Sequence, residues 1–402
     1  MYMQYSVNIS EKIHWIGVND RRKNLFENLW PLPHGVSYNS YLFTDEKTAL
    51  IDTVEMGSDG AYLERIEILL EGRDLDYLVI NHMEPDHSGE IESIVRRYPQ
   101  VRIVGNAKTF KILQSYYGAF CNHLVEVKDG DELELGRHKL KFVFTPWVHW
   151  PETMMTYDVT EQILFSADAF GTFGTLDGGI FDDQTHFAFY ESEMRRYYSN
   201  IVGKYSGMVQ KAFAKLSGIP LRTICPLHGP IWRQNTERVL SLYDRWSRYE
   251  AEPGVVVIYA SMYGNTARMA DYIANGIAQR GVRDIKVFDV SKTHLSYLIN
   301  AIWEYRGVIL GSCAYNGEMF PLMELLCRTL VHMNVKNKSL GLFGSYSWNG
   351  GGVRNLLKFA EEIGWEPVCA PAEIAGRPAI DKYADCDALA CAMAGRLLGE
   401  EE

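Results

Sequence analysis

The sequence feature that most constrains the fold is residues 81–89, with the sequence NHMEPDHSG. This stretch follows residues 76–80, DYLVI, a short apolar run that predicts a buried strand. Just past that strand lie four candidate metal ligands, which are His82, Glu84, Asp86 and His87. The first three alternate along the chain, so an extended loop would point them the same way. Imidazole and carboxylate together favour a transition metal, and a solvated acidic loop with a helix-capping aspartate is the simpler alternative.

Later segments repeat this arrangement, in which a buried strand ends at a residue that can bind a metal. Residues 139–144 alternate apolar and polar side chains and lead to His149. Two further apolar runs end at Asp168 and at His228. A polar residue at a single strand end is ordinary, whereas several together can build one metal site at the edge of a sheet. We therefore expect such a site in a layered α/β/β/α fold.

The chain is long enough for two domains, because 402 residues exceed what one core usually supports. The polar residues 247–254 end in Pro-Gly and predict the junction, which gives domains of residues 1–250 and 251–402. The β-branched residues 255–259 are typical of a parallel strand covered on both faces. Helical and strand patterns alternate after it, which predicts a doubly wound parallel sheet.

Three loops at predicted strand ends of the second domain suit a flavin mononucleotide (FMN). Residues 261–266, SMYGNT, precede a helix and lack both a nucleoside triphosphate motif and a dinucleotide motif, which favours one phosphate. Each of the other loops carries an aromatic residue that could cover a flat ring, although each alone could be an ordinary glycine-rich turn. The candidate flavin ligands are Ser261, Met262, Tyr263, Gly264, Asn265, Thr266, Ser312, Cys313, Ala314, Tyr315, Asn316, Gly317, Ser345, Tyr346, Ser347, Trp348, Asn349, Gly350 and Gly351.

Composition excludes several classes of protein. A net charge of −11 argues against a nucleic-acid partner. The sequence has no apolar run long enough to span a membrane, and its first residues lack the layout of a signal peptide. The seven cysteines are scattered and form no Cys-x-x-Cys pair, so we expect reduced thiols in a cytoplasmic protein. Any metal must then be held by His, Asp and Glu.

Two motifs carry a family resemblance. Residues 82–87 resemble the His-x-His-x-Asp-His signature of the metallo-β-lactamase fold, with Glu84 in place of the second His. Residues 261–266 resemble the phosphate loop of flavodoxins. Joined in this order over essentially the whole chain, they resemble the flavodiiron proteins, also called A-type flavoproteins or rubredoxin:oxygen oxidoreductases. The resemblance implies an α/β chain in which a metallo-β-lactamase-like αββα sandwich precedes a flavodoxin-like doubly wound parallel sheet.

The resemblance also implies a centre of two non-haem iron ions with separate ligands and one shared bridge. One iron would take His82, Glu84 and His149, the other would take Asp86, His87 and His228, and Asp168 would bridge them. The equivalent of His87 is replaced or does not coordinate in some members. Glu84 supplies a negative charge and a hard oxygen ligand, which favour iron over zinc.

The activity implied by the resemblance is reduction of dioxygen to water or of nitric oxide to nitrous oxide. Electrons would pass through FMN from an external donor, such as rubredoxin, its reductase or a reduced deazaflavin. A head-to-tail homodimer or a dimer of dimers is implied as well. Tyr197, Tyr198 and His34 lie in segments that resemble those bordering the substrate pocket, so they are candidate catalytic residues. A packed aromatic or a surface histidine is the alternative for each.

Two other functions are compatible with parts of the sequence. A zinc-dependent hydrolase of the glyoxalase II or lactamase type could be fused to a flavodoxin domain, but Glu84 argues against it. An electron carrier could have lost the chemistry of its first domain, but the complete set of candidate ligands argues against that.

Overall fold

The computed structural model describes residues 6–118 and 123–399. Contacts between Cα atoms divide the chain into two units, Met1–Asp244 and Arg245–Glu402. The first residues, on which the signal-peptide expectation depends, and Cys121 lie outside the described residues. Among the cysteines that are described, none forms a disulfide. No helix in the described part of the chain combines the length and apolar character needed to cross a membrane.

The first unit is built mainly from strands. In chain order the strands are β1 (Val7–Asn8), β2 (Ile13–Trp15), β3 (Val18–Asp20), β4 (Leu25–Phe26), β5 (Trp30–Pro31), β6 (Val36–Tyr38), β7 (Tyr41–Thr44), β8 (Thr48–Ile51), β9 (Tyr77–Val79), β10 (Arg102–Gly105), β11 (Leu124–Glu126), β12 (Glu132–Glu134), β13 (Lys139–Phe144), β14 (Met154–Asp158), β15 (Ile163–Phe165) and β16 (Thr223–Cys225). The helices are α1 (Tyr62–Leu70), α2 (Pro85–Ser88), α3 (Ile91–Arg97), α4 (Ala107–Tyr117), α5 (Phe187–Tyr197), α6 (Ser206–Leu216) and α7 (Thr236–Ser247). A π-helical turn, Tyr198–Val202, follows α5.

Two sheets form the framework of this unit. One has the strand order β1-β2-β7-β8-β9-β10-β11, and the other has the order β12-β13-β14-β15-β16. The sequence predicts strands at residues 37–43 and 47–52 that form a hairpin around residues 44–46, and the structure confirms it, with Tyr41 of β7 opposite Ile51 of β8. Strand β9 runs parallel to β8 and β10, and β15 runs parallel to β16. The carboxyl ends of parallel neighbours lie at the same sheet edge, which brings the segments after them together.

The expectation that residues 81–89 are extended is wrong beyond Glu84. Pro85 takes the first position of the short helix α2, where its fixed φ suits a helix and its missing N–H is not needed. Asp86 and His87 therefore lie on a helical turn and do not continue the alternation of the residues before them.

The second unit alternates strands and helices, as predicted. Its strands are β17 (Glu252–Ala260), β18 (Ile285–Asp289), β19 (Tyr305–Tyr315), β20 (Glu318–Met319), β21 (Ser339–Tyr346) and β22 (Ala372–Ala375). Its helices are α8 (Asn265–Gln279), α9 (Leu295–Glu304), α10 (Pro321–Met333), α11 (Gly352–Ile363) and α12 (Ala384–Leu398). Pro253 and Gly254, which were predicted to lie in a linker, lie instead within β17, where the pairing with β19 shifts register between Glu252 and Val255.

The sheet of the second unit has the order β18-β17-β19-β21-β22, and each of these neighbouring pairs is parallel. Val255 and Val257 of β17 pack in one core with Met269 of α8 and Met393 of α12. Val256, which alternates with them, is also fully buried. Both faces of the central strand are therefore covered, and this explains its unbroken apolar sequence.

Candidate metal centre and cofactor cavity

The seven predicted metal ligands come from four segments that follow strands of the first unit. His82 and Glu84 follow β9, and Asp86 and His87 lie on α2. The remaining three follow β13, β15 and β16, and they are His149, Asp168 and His228. All seven are buried, and Glu84 is the most exposed at 8%. A cluster of charged and polar side chains this deeply buried is costly unless the charges are compensated.

The side chains lie in two groups, each close enough to hold one metal ion. The first group contains His82, Glu84, His149 and Asp168, and the second contains Asp86, His87 and His228. Within each group the candidate ligand atoms lie within 4.8 Å of one another. These two groups match the two ligand sets that the resemblance implies.

Asp168 faces both groups with different oxygens. Its Oδ2 lies 3.0 Å from His149 Nε2, and its Oδ1 lies 3.0 Å from His87 Nε2. The backbone at this point is unusual, because Ala167 (φ 51°) and Phe170 (φ 67°) both have left-handed conformations. Such conformations are costly for residues other than glycine and are concentrated at functional sites. The turn after β15 thus holds one carboxylate between two ligand groups.

Hydrogen bonds orient the histidine rings toward the centre. His228 Nδ1 lies 2.8 Å from the carbonyl oxygen of Ser37, and because a carbonyl only accepts, this nitrogen carries the proton. His82 Nδ1 lies 2.9 Å from Glu152 Oε1, which favours the same tautomer. The Nε2 atoms then present lone pairs to the cluster. His87 Nε2 and His228 Nε2 are only 3.0 Å apart, which is suited to two nitrogens directed at one cation.

The charges of the cluster favour cations. Burial alone would lower the pKa of His149, but the carboxylates of Asp168 and Glu84 outweigh it and raise this pKa to about 9. Burial alone would raise the pKa of Asp168, yet the surrounding histidines hold it well below the usual range. Both oxygens of Asp86 are buried and make no hydrogen bond within the described residues. The donor set of imidazole nitrogens and carboxylate oxygens therefore fits a pair of transition-metal ions.

Three acidic residues near the cluster were missed by sequence reasoning. Asp52 accepts hydrogen bonds from the N–H groups of Asn81 and His82. It ends the predicted strand of residues 47–52, so the strand-end pattern could have identified it. Glu152 accepts a hydrogen bond from the backbone N–H of Met83 and also faces His82. No sequence motif points to this residue. Burial and the Glu84 charge raise the pKa of Glu27 to about 7, and Glu27 lies in the turn between β4 and β5, where the sequence gives no signal.

The three candidate catalytic residues have different surroundings. The Tyr197 ring lies 5.3 Å from the His228 ring, and its buried hydroxyl has no hydrogen-bond partner among the described residues. The Tyr198 hydroxyl lies 2.8 Å from Oγ of Ser206, the first residue of α6, and this hydrogen bond points the hydroxyl toward that helix. His34 is exposed and its ring lies edge-on to Phe189. Of the three, Tyr197 therefore has the geometry to act on a molecule at the metal centre.

The three predicted flavin loops of the second unit enclose one cavity of about 270 Å³. Its lining consists of Ser261, Met262, Tyr263, Asn265, Thr266, Cys313, Ala314, Tyr315, Asn316, Gly317, Ser345, Tyr346, Ser347, Trp348 and Asn349. Tyr263 is 90% exposed and Trp348 is 83% exposed, which is unusual for large aromatic side chains. Exposed aromatics beside a cavity are suited to covering the faces of a planar ligand.

Four of the predicted flavin residues support the loops and do not line the cavity. Gly264 (φ +87°) precedes α8 in a left-handed conformation, and its N–H donates to Ser261 Oγ. The Ser312 hydroxyl accepts a hydrogen bond from the backbone N–H of Phe320 and donates one to the carbonyl oxygen of Cys313. Gly350 and Gly351 complete this group. A Cβ on Gly351 would lie 2.0 Å from the carbonyl oxygen of Gly317, so only glycine permits this contact between the second and third loops.

Comparisons with known proteins identify the family of the chain. Residues 36–229 match the model of the ODP family beta lactamase, and residues 257–386 match the model of the Flavodoxin family. An anaerobic nitric oxide reductase flavorubredoxin of Escherichia coli is 32% identical over 366 residues, which cover 90% of this chain and 76% of that protein. The chain belongs to the flavodiiron protein family. It is an oxidoreductase of the flavodiiron type.

Solved flavodiiron structures share the fold over nearly the whole chain. Rubredoxin oxygen:oxidoreductase from Desulfovibrio gigas has 28% identity and a TM-score of 0.93, covering 98% of this chain and 99% of that one. A mutant flavo di-iron protein from Thermotoga maritima has 26% identity and a TM-score of 0.89, covering 98% of both chains. The predicted fold class, a lactamase-like sandwich followed by a flavodoxin-like sheet, is confirmed.

Proposed function

We propose that this flavodiiron protein reduces dioxygen to water, nitric oxide to nitrous oxide, or both, at two non-haem iron ions. The observation that carries the proposal is Asp168, whose two oxygens face two separate groups of buried ligands. One carboxylate shared in this way holds two ions close enough to act on one small molecule. When bound, the iron pair supplies the redox chemistry that the side chains of the chain cannot provide.

The proposed ligand sets follow the two groups in the structure. One iron is held by His82, Glu84 and His149, and the other by Asp86, His87 and His228, with Asp168 as the bridge. Two divalent ions carry four positive charges against the three negative charges of the buried carboxylates, so their binding compensates all three carboxylates. Glu152 and the Ser37 carbonyl keep His82 and His228 in the tautomer that binds metal.

Tyr197 has the proposed role of a hydrogen-bond donor to the bound gas or its reduced product. Burial first, and then the charges of Asp168 and Asp86, raise the pKa of its phenol well above the usual range. The phenol therefore stays protonated and can donate. Tyr198 and His34 have supporting roles in this proposal, because their rings contact Tyr243 and Phe189 respectively.

The cavity of the second unit is the proposed FMN site. The loop before α8 offers backbone N–H groups and small hydroxyl side chains to one phosphate, without a lysine or arginine in the loop. Tyr315 and Trp348 lie on the other two loops and can contact the flat ring system. When bound, FMN accepts electrons from a donor and passes them on singly or in pairs.

The partners and the assembly are also part of the proposal. The electron donor is an external protein or cofactor, either rubredoxin, its reductase or a reduced deazaflavin. A head-to-tail homodimer or a dimer of dimers brings the flavin of one chain to the iron of another, and the protein acts in the cytoplasm. The domains are residues 1–250 for the diiron part and 251–402 for the flavin part.

Metal analysis and anaerobic stopped-flow spectroscopy test this proposal. Protein purified without oxygen is expected to contain two irons and one FMN per chain. The flavin of the reduced protein should reoxidise rapidly when mixed with dioxygen, with nitric oxide or with both. Zinc in place of iron, together with no reoxidation by either gas, would point to the hydrolase alternative and would contradict the proposal.

A further inference from the structure

A small apolar cavity lies beside the metal centre and takes no part in the chemistry described above. It is enclosed by residues that include Val148, Met155, Ala169, Val209, Ala212 and Phe213. Its accessible wall is apolar throughout the residues that the structure describes. This cavity is separate from the flavin cavity, because every residue that lines it belongs to the first unit.

The cavity adjoins the two segments that carry His149 and Asp168. Val148 directly precedes His149 in the chain, and Ala169 directly follows Asp168. Both apolar residues are buried. On another side, the rings of Phe170 and Tyr243 close the cavity, with centroids 4.4 Å apart. Two residues that line the cavity are thus the chain neighbours of one ligand of the first group and of the residue that faces both groups.

Helix α6 forms the outer wall of the cavity. Val209 and Ala212 of this helix are buried, whereas Phe213 is only partly buried and also meets solvent. Phe213 therefore borders both the cavity and solvent.

The size and polarity of the cavity select its ligand. The space open to the centre of a water-sized molecule is about 10 Å³, which is room for about one such molecule. Water needs two to four polar partners to be stable in a cavity, and an apolar wall gives it none. A diatomic gas has no hydrogen bonds to lose and gains dispersion contacts there.

We propose that this apolar cavity is a transient binding site through which the diatomic gas substrate reaches the metal centre. The proposal rests on the proposed gas reductase function and deepens it, since it assigns a place to the substrate before it meets the metal ligands. Dioxygen and nitric oxide share the relevant chemistry, because both are small, weakly polar diatomic molecules.

Xenon under pressure is the direct probe of this site. Crystals of the complete protein, with metal and flavin bound, are pressurised with xenon, and its position is read from anomalous scattering. We expect a xenon peak enclosed by Val148, Ala169 and Ala212. No peak there, in crystals that bind xenon elsewhere, would overturn the proposal.

A pair of variants on one helix tests the role in catalysis. Ala212→Val adds two methyl groups inside the cavity, and Ala214→Val adds the same groups on the exposed side of α6. We expect Ala212→Val to lose the xenon peak and to lower kcat/KM for the gas by at least about threefold, because entry is slowed. The iron content, the flavin content and the rate of flavin reduction by the donor should match those of Ala214→Val.

Two results separate this proposal from the proposed function. An Ala212→Val variant that excludes xenon but keeps the full kcat/KM for the gas overturns the cavity proposal and leaves gas reduction intact. A wild-type protein that binds xenon in the cavity but reduces neither gas contradicts the function and, with it, the substrate role of the cavity. If Ala212→Val fails to fold, Val209→Ala enlarges the cavity instead, and a xenon peak that does not grow in that variant overturns the proposal.

Discussion

The metal centre and the flavin cavity are built in opposite ways. The metal centre collects seven buried side chains from four segments, and these segments are up to about 140 residues apart, as in the contact between His87 and His228. The flavin cavity is formed by three loops, each a single short stretch of the chain, and the aromatic residues Tyr263 and Trp348 of these loops are largely exposed. One site depends on side chains that carry charge, and the other depends on loop backbone and small residues.

This difference determines how each site responds to change. The metal centre concentrates carboxylates in a buried region, so loss of a ligand leaves other buried groups without compensation. The flavin cavity spreads its contacts over many residues, so loss of one side chain removes only one contact. We therefore expect substitutions in the metal centre to cause large losses of metal content and of gas reduction and to leave flavin binding unchanged. Substitutions in the cavity should cause smaller losses, in flavin affinity.

The largest effect is expected for Asp168→Ala, because both ligand groups lose the carboxylate they share. We expect gas consumption to fall by at least about 1000-fold, since both metal positions are disrupted at once. Iron content should fall, while the absorbance of bound flavin stays normal. Flavin loss from a variant that keeps its iron would contradict the assignment of the two sites to different units.

Glu152→Gln is expected to have the next largest effect. The amide cannot hold the His82 ring as the carboxylate does, and losing such a partner typically weakens metal affinity about 10-fold to 100-fold. Competition with an iron chelator measures this affinity. Glu132→Gln, a change of the same kind at an exposed position on β12, should leave it unaltered. Equal affinities in the two variants would show that Glu152 does not support the centre.

Tyr197→Phe is expected to slow gas reduction by about 10-fold, because it removes a buried, protonated hydroxyl without a partner among the described residues, on a ring that lies beside His228. Iron and flavin contents should not change. Tyr198→Phe is the matched control, since that hydroxyl contacts Ser206. Oxygen and nitric oxide electrodes give both rates. A larger loss in Tyr198→Phe than in Tyr197→Phe would reverse the assignment of the two tyrosines.

Trp348→Ala is expected to have the smallest effect of the four. Loss of one aromatic contact weakens FMN binding by roughly 3-fold to 10-fold, which fluorescence titration of the flavin-free protein can measure. Tyr272→Ala removes an aromatic residue of the same unit that stacks on Tyr383, away from the cavity lining, and should keep normal affinity. Unchanged affinity in Trp348→Ala would show that the third loop does not cover the ring.

The sequence could predict the parts of both sites that follow strand ends. A buried apolar run followed by His or Asp identified His149, Asp168 and His228, because strand ends at one sheet edge meet in space. The same pattern at residues 47–52 pointed to Asp52, although sequence reasoning did not use it. In the second unit the alternation of strands and helices predicted the parallel sheet, and its loops were predicted with it.

Other parts could not be predicted, for physical reasons. The helical turn at Pro85–Ser88 is too short to show a helical period, so the loop was expected to be extended. Glu152 follows no strand pattern, and only the fold brings it from between β13 and β14 of one sheet to His82, which follows β9 of the other. Tyr197 ends α5 and Tyr198 begins a π-helical turn, and sequence periodicity does not predict such turns.

The contact between Gly317 and Gly351 has a consequence for the kinetics of cofactor binding. Because the second and third loops touch through their backbones, they form one continuous wall. A preformed wall means that association requires little ordering of the chain, so the association rate is set by diffusion and orientation. Differences in cofactor affinity among variants of this cavity should then appear in the dissociation rate of the cofactor and not in its association rate.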